Sequence, residues 1–204
     1  MNTEKKEHWE KVYETKNPQE VSWTQEVPTT SLELICSFNL DRSAKIIDVG
    51  GGDSKLVDFL LAEGFENITV LDISAKALEK AKARLEEKAK KVSWLVSDIT
   101  EFKPETTYDV WHDRATFHFL TEEMQVKKYV EIAKQAVSGY LAIGTFSENG
   151  PEKCSGLAIK QYTPESICTV FGDSFEKLRC RTENHLTPFG TEQHFVFCSF
   201  ARKS

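Results

Sequence analysis

Ile46-Ile47-Asp48-Val49-Gly50-Gly51-Gly52-Asp53-Ser54 is an apolar strand that passes through an aspartate into three consecutive glycines and then into an amphipathic helix. Glycine is used where backbone must approach a ligand closely or take a conformation that a Cβ forbids. In open α/β sheets, ligands bind at the loop between a parallel strand and the helix that follows it. The stretch therefore reads as the floor of a nucleotide-type cofactor site, because three glycines in a row cost more entropy than a plain turn requires.

Working outward, strand and helix signals alternate from Ile46 onward, the pattern of a mostly parallel sheet. Upstream, Thr30-Ser31-Leu32-Glu33 has capping-box spacing and predicts a helix from about Ser31 to Phe38. The first strand is Lys45 to Val49. The helix after it, starting near Ser54, carries Leu56, Val57, Leu60 and Leu61 and stops at Gly64. Strand two is Ile68 to Leu71, followed by a helix from Ser74 with Ala77, Leu78, Ala81 and Leu85 on one face. Strand three is Val92 to Val96, strand four Tyr108 to Trp111, and a helix capped by Thr121 leads to strand five, Tyr140 to Thr145. Thr163-Pro164 caps a short helix that ends at Gly172. Phe175 to Arg181 and His194 to Arg202 then follow as strands with no helix between them, so they pair antiparallel. The expected fold is a three-layer α-β-α sandwich: a mostly parallel seven-stranded sheet ending in an antiparallel C-terminal hairpin.

The 204 residues suit one domain over 1–204, divided into an N-terminal helical lid segment over 1–40 and a Rossmann-like core over 41–204. A net charge of −6 offers no basic surface for a phosphate backbone, which argues against a nucleic-acid partner. No apolar run approaches the ~20 residues a membrane span needs, and the charged N-terminus has no secretory pattern. Five scattered cysteines, Cys36, Cys154, Cys168, Cys180 and Cys198, lack a C-x-x-C and suit reduced thiols in a cytoplasm, with no metal site. A monomer or weak homodimer is expected.

A dinucleotide loop usually reads G-x-G-x-x-G, and its third glycine would fall at Lys55. What stands here is an acid two residues before the first glycine, Asp48-x-Gly50-x-Gly52. This resembles the first motif of the class I S-adenosylmethionine-dependent methyltransferases, whose further glycine would fall at Ser54. The resemblance continues through Asp72 at the end of strand two, where the family's acid accepts both ribose hydroxyls, and Asp98 at the end of strand three, where it accepts from the adenine amino group. It implies that Ile73 and Ile99 sandwich the ring and that Gly50, Gly51 and Gly52 line the cofactor. Locally, Asp72 also suits a helix cap and Asp98 a turn with Thr100. An acid after strand two would serve a nicotinamide ribose too. Asp48 and Asp53 flanking the loop favour a cationic sulfonium and ammonium over a pyrophosphate.

Val21-Ser22-Trp23-Thr24-Gln25-Glu26-Val27-Pro28 cannot be helical through Pro28. The resemblance implies a lid in which Trp23 packs on the cofactor and Gln25 hydrogen-bonds it; a tryptophan plugging the core edge is the plainer alternative. Trp9 and Tyr13, four apart, belong to an N-terminal helix packed on the body.

The densest polar cluster follows strand four: Trp111-His112-Asp113-Arg114-Ala115-Thr116-Phe117-His118. His112 and Asp113 are the candidate general bases, with Tyr162 as a group that holds the nucleophile and His112 also touching cofactor. Arg114, His118 and His185 are the candidate acceptor contacts. The local alternatives are an Asp113–Arg114 pair that orders the turn and His118 as a core histidine. Methyl transfer mainly needs alignment and exclusion of water, with a base only for an acceptor that arrives protonated. The expectation is an enzyme that methylates a small molecule from S-adenosylmethionine. A protein lysine stands second, and a nicotinamide oxidoreductase or a non-catalytic cofactor sensor are the readings from other classes.

Overall fold

In the computed structural model, which describes residues 3–203, β1 (Lys45–Val49) is the strand that feeds the triple glycine, and all of it but Lys45 is buried. Met1, Asn2 and Ser204, the ends of the stretch expected to form one domain, lie outside the described residues. β2 (Asn67–Asp72) runs parallel to β1 on one side, with β3 (Val92–Val96) beyond it. On the other side lie β4 (Tyr108–Arg114) and then β5 (Val137–Phe146), also parallel. A small ribbon, β6 (Lys153–Cys154) with β7 (Leu157–Ala158), stands apart where the sequence had suggested only a loop. β8 (Phe175–Leu186) and β9 (Glu192–Arg202) form the terminal hairpin, and the sheet order is β3-β2-β1-β4-β5-β9-β8.

Alternation along the strands divides the core into two layers. Ile46 and Val110 face α2 (Thr29–Cys36), α3 (Leu56–Ala62) and α4 (Ala75–Leu85), meeting Leu34, Ile35, Leu56, Leu60 and Leu78. Ile47 and Trp111 face α5 (Glu123–Ala136) and α6 (Pro164–Phe171), meeting Tyr129, Ala133, Ile167 and Phe171. Trp111 is wholly buried; its indole N–H donates to the Tyr129 hydroxyl at 2.8 Å and the two rings meet edge to face. Truncating such a residue to alanine costs about 3–5 kcal/mol. Two of the expected caps form: Ser74 accepts from the Ala77 N–H, and Thr163 from the Ser166 N–H with Pro164 in the first turn. By contrast, α2 is entered from Pro28 rather than through the Thr30–Glu33 box, and α5 from Glu122 rather than Thr121.

Two expectations change. Strand four continues three residues past Trp111 to Arg114, so the polar cluster is strand and not loop. The five cysteines are not all free: Cys180 and Cys198 form a disulfide, since the hairpin register sets them directly opposite each other. A separation of 18 residues carries no hint of that pairing, which appears only once β8 and β9 are aligned. Among the described residues no helix is long and apolar enough to cross a membrane.

Candidate active site

The turn after β1 is shaped by its glycines. Gly50 takes φ +65° and its N–H donates to the Leu71 carbonyl at 2.6 Å, which pins the turn to β2. A Cβ there would lie 1.6 Å from Thr116 Oγ1; at Gly51 it would lie 2.6 Å from Asp48 Oδ2 and 2.7 Å from Val70. Gly52, at φ +50°, would meet the Tyr13 hydroxyl at 2.7 Å. The chain can pass close beneath an enclosed space only because these side chains are missing.

That space is a cavity of about 440 Å³ at the C-terminal ends of the parallel strands. Asp48, Gly50, Gly51, Asp72, Ile73, Asp98, Ile99, Trp23, Gln25, His112 and Arg114 all line it. Gly52 does not; it seats Tyr13. Asp72 and Asp98 each use one oxygen locally: Asp72 Oδ1 accepts from the Ser74 N–H at 2.8 Å, and Asp98 Oδ1 from the Thr100 N–H and hydroxyl. Burial, with Asp53 and Asp48 nearby, pushes the Asp72 carboxyl up to about 7. Asp53 is raised as well, chiefly by burial. Such a crowd of acids around one cavity favours a cationic or hydroxyl-bearing occupant.

The N-terminal helix α1 (Thr3–Thr15) closes the top. Glu10 accepts from Ser74 Oγ and from the N–H groups of Ala75 and Lys76, so its carboxylate caps the start of α4. Trp9 and Tyr13 thereby reach the cavity, where Trp9 meets Trp23 and Phe119 edge to face at 5.6 and 5.2 Å. The sequence had put Trp9 and Tyr13 on a helix packed against the body. Their i,i+4 spacing around Glu10 was the available signal, but nothing local said that the helix would lie across the strand ends. Ser31, Phe119 and Cys154 are further lining residues that sequence reasoning missed.

The continuation of β4 decides the fate of the polar cluster. His112 and Arg114 share the face of Val110, whereas Asp113 points with Trp111 to the opposite layer. There Asp113 accepts from the N–H groups of Thr116 and Phe117 and from the Tyr129 hydroxyl at 2.7 Å, and burial raises it to about 6. His112 is engaged at both ring nitrogens, Nδ1 with Asp48 Oδ1 at 2.7 Å and Nε2 with Ser31 Oγ at 2.8 Å.

Besides Gly52, four candidates, Asp113, His118, Tyr162 and His185, are not brought to the cavity. Asp113 is turned away by strand alternation, His118 is stacked on Phe146 with Nδ1 accepting from its N–H, and Tyr162 packs on Phe117 in the core. Burial, with Arg114 nearby, depresses His118 to about 3, so it is a neutral core histidine. His185 meets the Ser22 carbonyl at 2.7 Å and lines a separate surface groove with Gln25 and Thr24. The local Asp113–Arg114 pair does not form either, since the two side chains occupy opposite faces.

Comparison with known proteins agrees with this arrangement. Residues 46–138 match the methyltransferase domain family. The eEF1A lysine and N-terminal methyltransferase of Mus musculus is 27% identical over 124 residues, 59% of this chain but 17% of that protein. The ubiquinone biosynthesis O-methyltransferase of Rickettsia canadensis is 38% identical over 80 residues, 39% of this chain and 34% of the relative. The chain thus matches a sixth to a third of the length of these curated relatives. Among solved structures, the N-methyltransferase NodS from Bradyrhizobium japonicum in complex with S-adenosyl-l-homocysteine superposes with a TM-score of 0.73 at 14% identity, covering 96% of this chain and 98% of NodS, a likeness of fold. With the glycine turn, the acids at successive strand ends and the seven-stranded order all in place, residues 46–138 resemble a methyltransferase domain and the fold is that of the class I, Rossmann-like methyltransferases.

Proposed function

We propose that this protein methylates a small-molecule acceptor with S-adenosylmethionine, the chain acting as one domain whose segment 1–40 is the lid. The observation that carries the reading is the convergence of Asp48, Asp72 and Asp98 with the glycine turn on one cavity. The fit is chemical as well as spatial: a Cβ at Gly50 or Gly51 would collide with its neighbours, and the raised Asp72 carboxyl regains its charge when given hydroxyl donors. Asp72 would hold the ribose and Asp98 the adenine edge between Ile73 and Ile99, with Trp23 and Gln25 over the methionine half. When bound, the cofactor supplies an electrophilic methyl on a positively charged sulfur for in-line transfer.

The chain's own part is alignment and exclusion of water. Trp9, Trp23 and Phe119 form the aromatic cover, held down by Glu10 on α4. His112 holds Asp48 in place, with both ring nitrogens engaged in hydrogen bonds. Asp113, the other expected base, and Tyr162, expected to hold the nucleophile, lie away from the cavity. This favours an acceptor whose nucleophile arrives unprotonated.

A covered cavity of this size suits a small acceptor, and the net charge of −6 argues against nucleic acid. A protein lysine is the second reading, favoured by the mouse relative whose name specifies lysine and N-terminal methylation. Transfer of tritiated methyl from S-adenosylmethionine into fractionated cell extract separates the two. Label in the metabolite fraction supports the first reading, label on a protein band supports the second, and label in neither removes both.

A further inference from the structure

Arg114 ends β4 on the cavity side, and its guanidinium is only partly used. Nη1 donates to the Trp23 carbonyl at 3.0 Å, and one face of the group lies 4.8 Å from the centre of the Phe195 ring. Nε and Nη2 are buried and have no hydrogen-bond partner. These two nitrogens share one edge of the guanidinium, the edge whose parallel N–H groups match the two oxygens of a carboxylate. Among the described residues no carboxylate comes within 4 Å of Arg114 in an ion pair. Glu183 acts on it from a distance while accepting from Thr30 Oγ1.

The rest of the surroundings offset that charge only at a distance, through Asp48 as well as Glu183. Burial pushes the Cys154 thiol up to about 11, so it stays neutral at the cavity wall. Burial and Arg114 together hold His118 and His185 low, so they bring no competing cation. Burial lowers Arg114 itself to about 10, which still leaves it charged at neutral pH. A buried, unpaired guanidinium is costly, and a fold that keeps one at the mouth of a ligand cavity retains it for an anion. Above it, the turn of the β6–β7 ribbon meets the lid through Ser155 Oγ and His8 Nε2 at 3.2 Å, so the anion would sit under cover.

We propose that the acceptor is a small organic carboxylate, seated by the Nε and Nη2 edge of Arg114 beside Trp23 and Cys154. This deepens the methyl-transfer reading and rests on it. The carboxylate could instead be that of the cofactor's own methionine, and the test separates the two.

Wild-type protein saturated with S-adenosylhomocysteine is titrated calorimetrically with benzoate, phenylacetate and 3-phenylpropionate, and with the matching amides. At least one acid is expected to bind about tenfold more tightly than its amide. Arg114→Met, again saturated with S-adenosylhomocysteine, should abolish that preference and raise the melting temperature, because an apolar isostere relieves the unpaired charge. Should Arg114→Met fail to fold, Arg114→Lys carries the test, since it keeps the charge without the fork and should lose most of the preference. Acids that bind no better than amides overturn the proposal. So does an Arg114 variant that loses S-adenosylhomocysteine about tenfold while keeping the preference, which would assign the edge to the cofactor. Failure of the wild type to bind S-adenosylhomocysteine at all is a different result and sinks the underlying reading.

Discussion

Asp48 Oδ1 and His112 Nδ1 lie 2.7 Å apart beneath the glycine turn, and the far nitrogen of the same imidazole meets Ser31 Oγ at 2.8 Å. One side chain thus ties the ends of β1 and β4 to the start of α2, in a place where both residues are almost fully buried. His112 is on this geometry a positioning residue. His112→Ala should lower the unfolding free energy in urea by about 2–3 kcal/mol, since it leaves a buried carboxylate oxygen and a hydroxyl unpaired. It should also weaken S-adenosylhomocysteine binding about tenfold, with the pH profile of kcat unmoved. Loss of a titrating limb from that profile would instead mark His112 as the proton acceptor.

The glycine turn allows a comparison within one chain. Gly50 and Gly64 both have positive φ, +65° and +88°, but a Cβ at Gly50 meets Thr116 Oγ1 at 1.6 Å whereas at Gly64 the nearest atom is 3.9 Å away. Gly64→Ala should cost only the backbone strain, about 1–2 kcal/mol. Gly50→Ala should cost more than that and remove cofactor binding. Thermal melts of the two variants, with and without S-adenosylhomocysteine, check both points.

Much of this was legible in advance. The succession of strands and helices along the chain, the capped helices at Ser74 and Thr163, and the acids at the ends of β1, β2 and β3 follow from local pattern, because each rests on residues near in sequence. The polar cluster after Trp111 was misread for a physical reason: a run of His, Asp and Arg looks like a loop, yet β4 continues through it, and alternation then splits the cluster between two layers. Two long-range facts were out of reach, the crossing of α1 over the strand ends through Glu10 and the opposition of Cys180 and Cys198, whereas His118 as a core histidine was the local alternative and is the one seen.

The raised carboxyls give a pH signature. Asp72 at about 7 and Asp113 at about 6 hold their protons in the fold at pH values where the unfolded chain has released them. The folded state then binds more protons than the unfolded one, so the ligand-free protein should lose stability as pH rises from about 4 to about 7. Asp72→Asn should flatten the upper part of that fall and leave the part due to Asp113. Cofactor binding runs the other way, because ionised Asp72 is the better acceptor. Affinity for S-adenosylhomocysteine should drop about tenfold between pH 8 and pH 6, and the drop should vanish in Asp72→Asn. Calorimetry across that range measures both.

Glu10 is one of several polar fastenings of the lid, beside the Glu14–Lys76 ion pair and the Lys5 bond to the Phe119 carbonyl, and it can be cut separately. Glu10→Ala removes the acceptor from Ser74 Oγ and the N–H groups of Ala75 and Lys76, at a cost of about 1–2 kcal/mol to the fold. Hydrogen exchange should rise in α1 and at the start of α4 while β1, β4 and β5 stay protected. Faster loss of S-adenosylhomocysteine is expected alongside; unchanged exchange in α1 would show that its other polar contacts and its aromatic contacts hold it without Glu10.

The central claim is that the cavity beside the glycine turn takes S-adenosylmethionine and not a dinucleotide, and isothermal titration of the same protein with S-adenosylhomocysteine and with NADH tests it most directly. The expected result is about one S-adenosylhomocysteine per chain, no detectable NADH, and a loss of affinity of about tenfold or more in Asp72→Ala. Tight binding of NADH with no heat from S-adenosylhomocysteine would contradict the account.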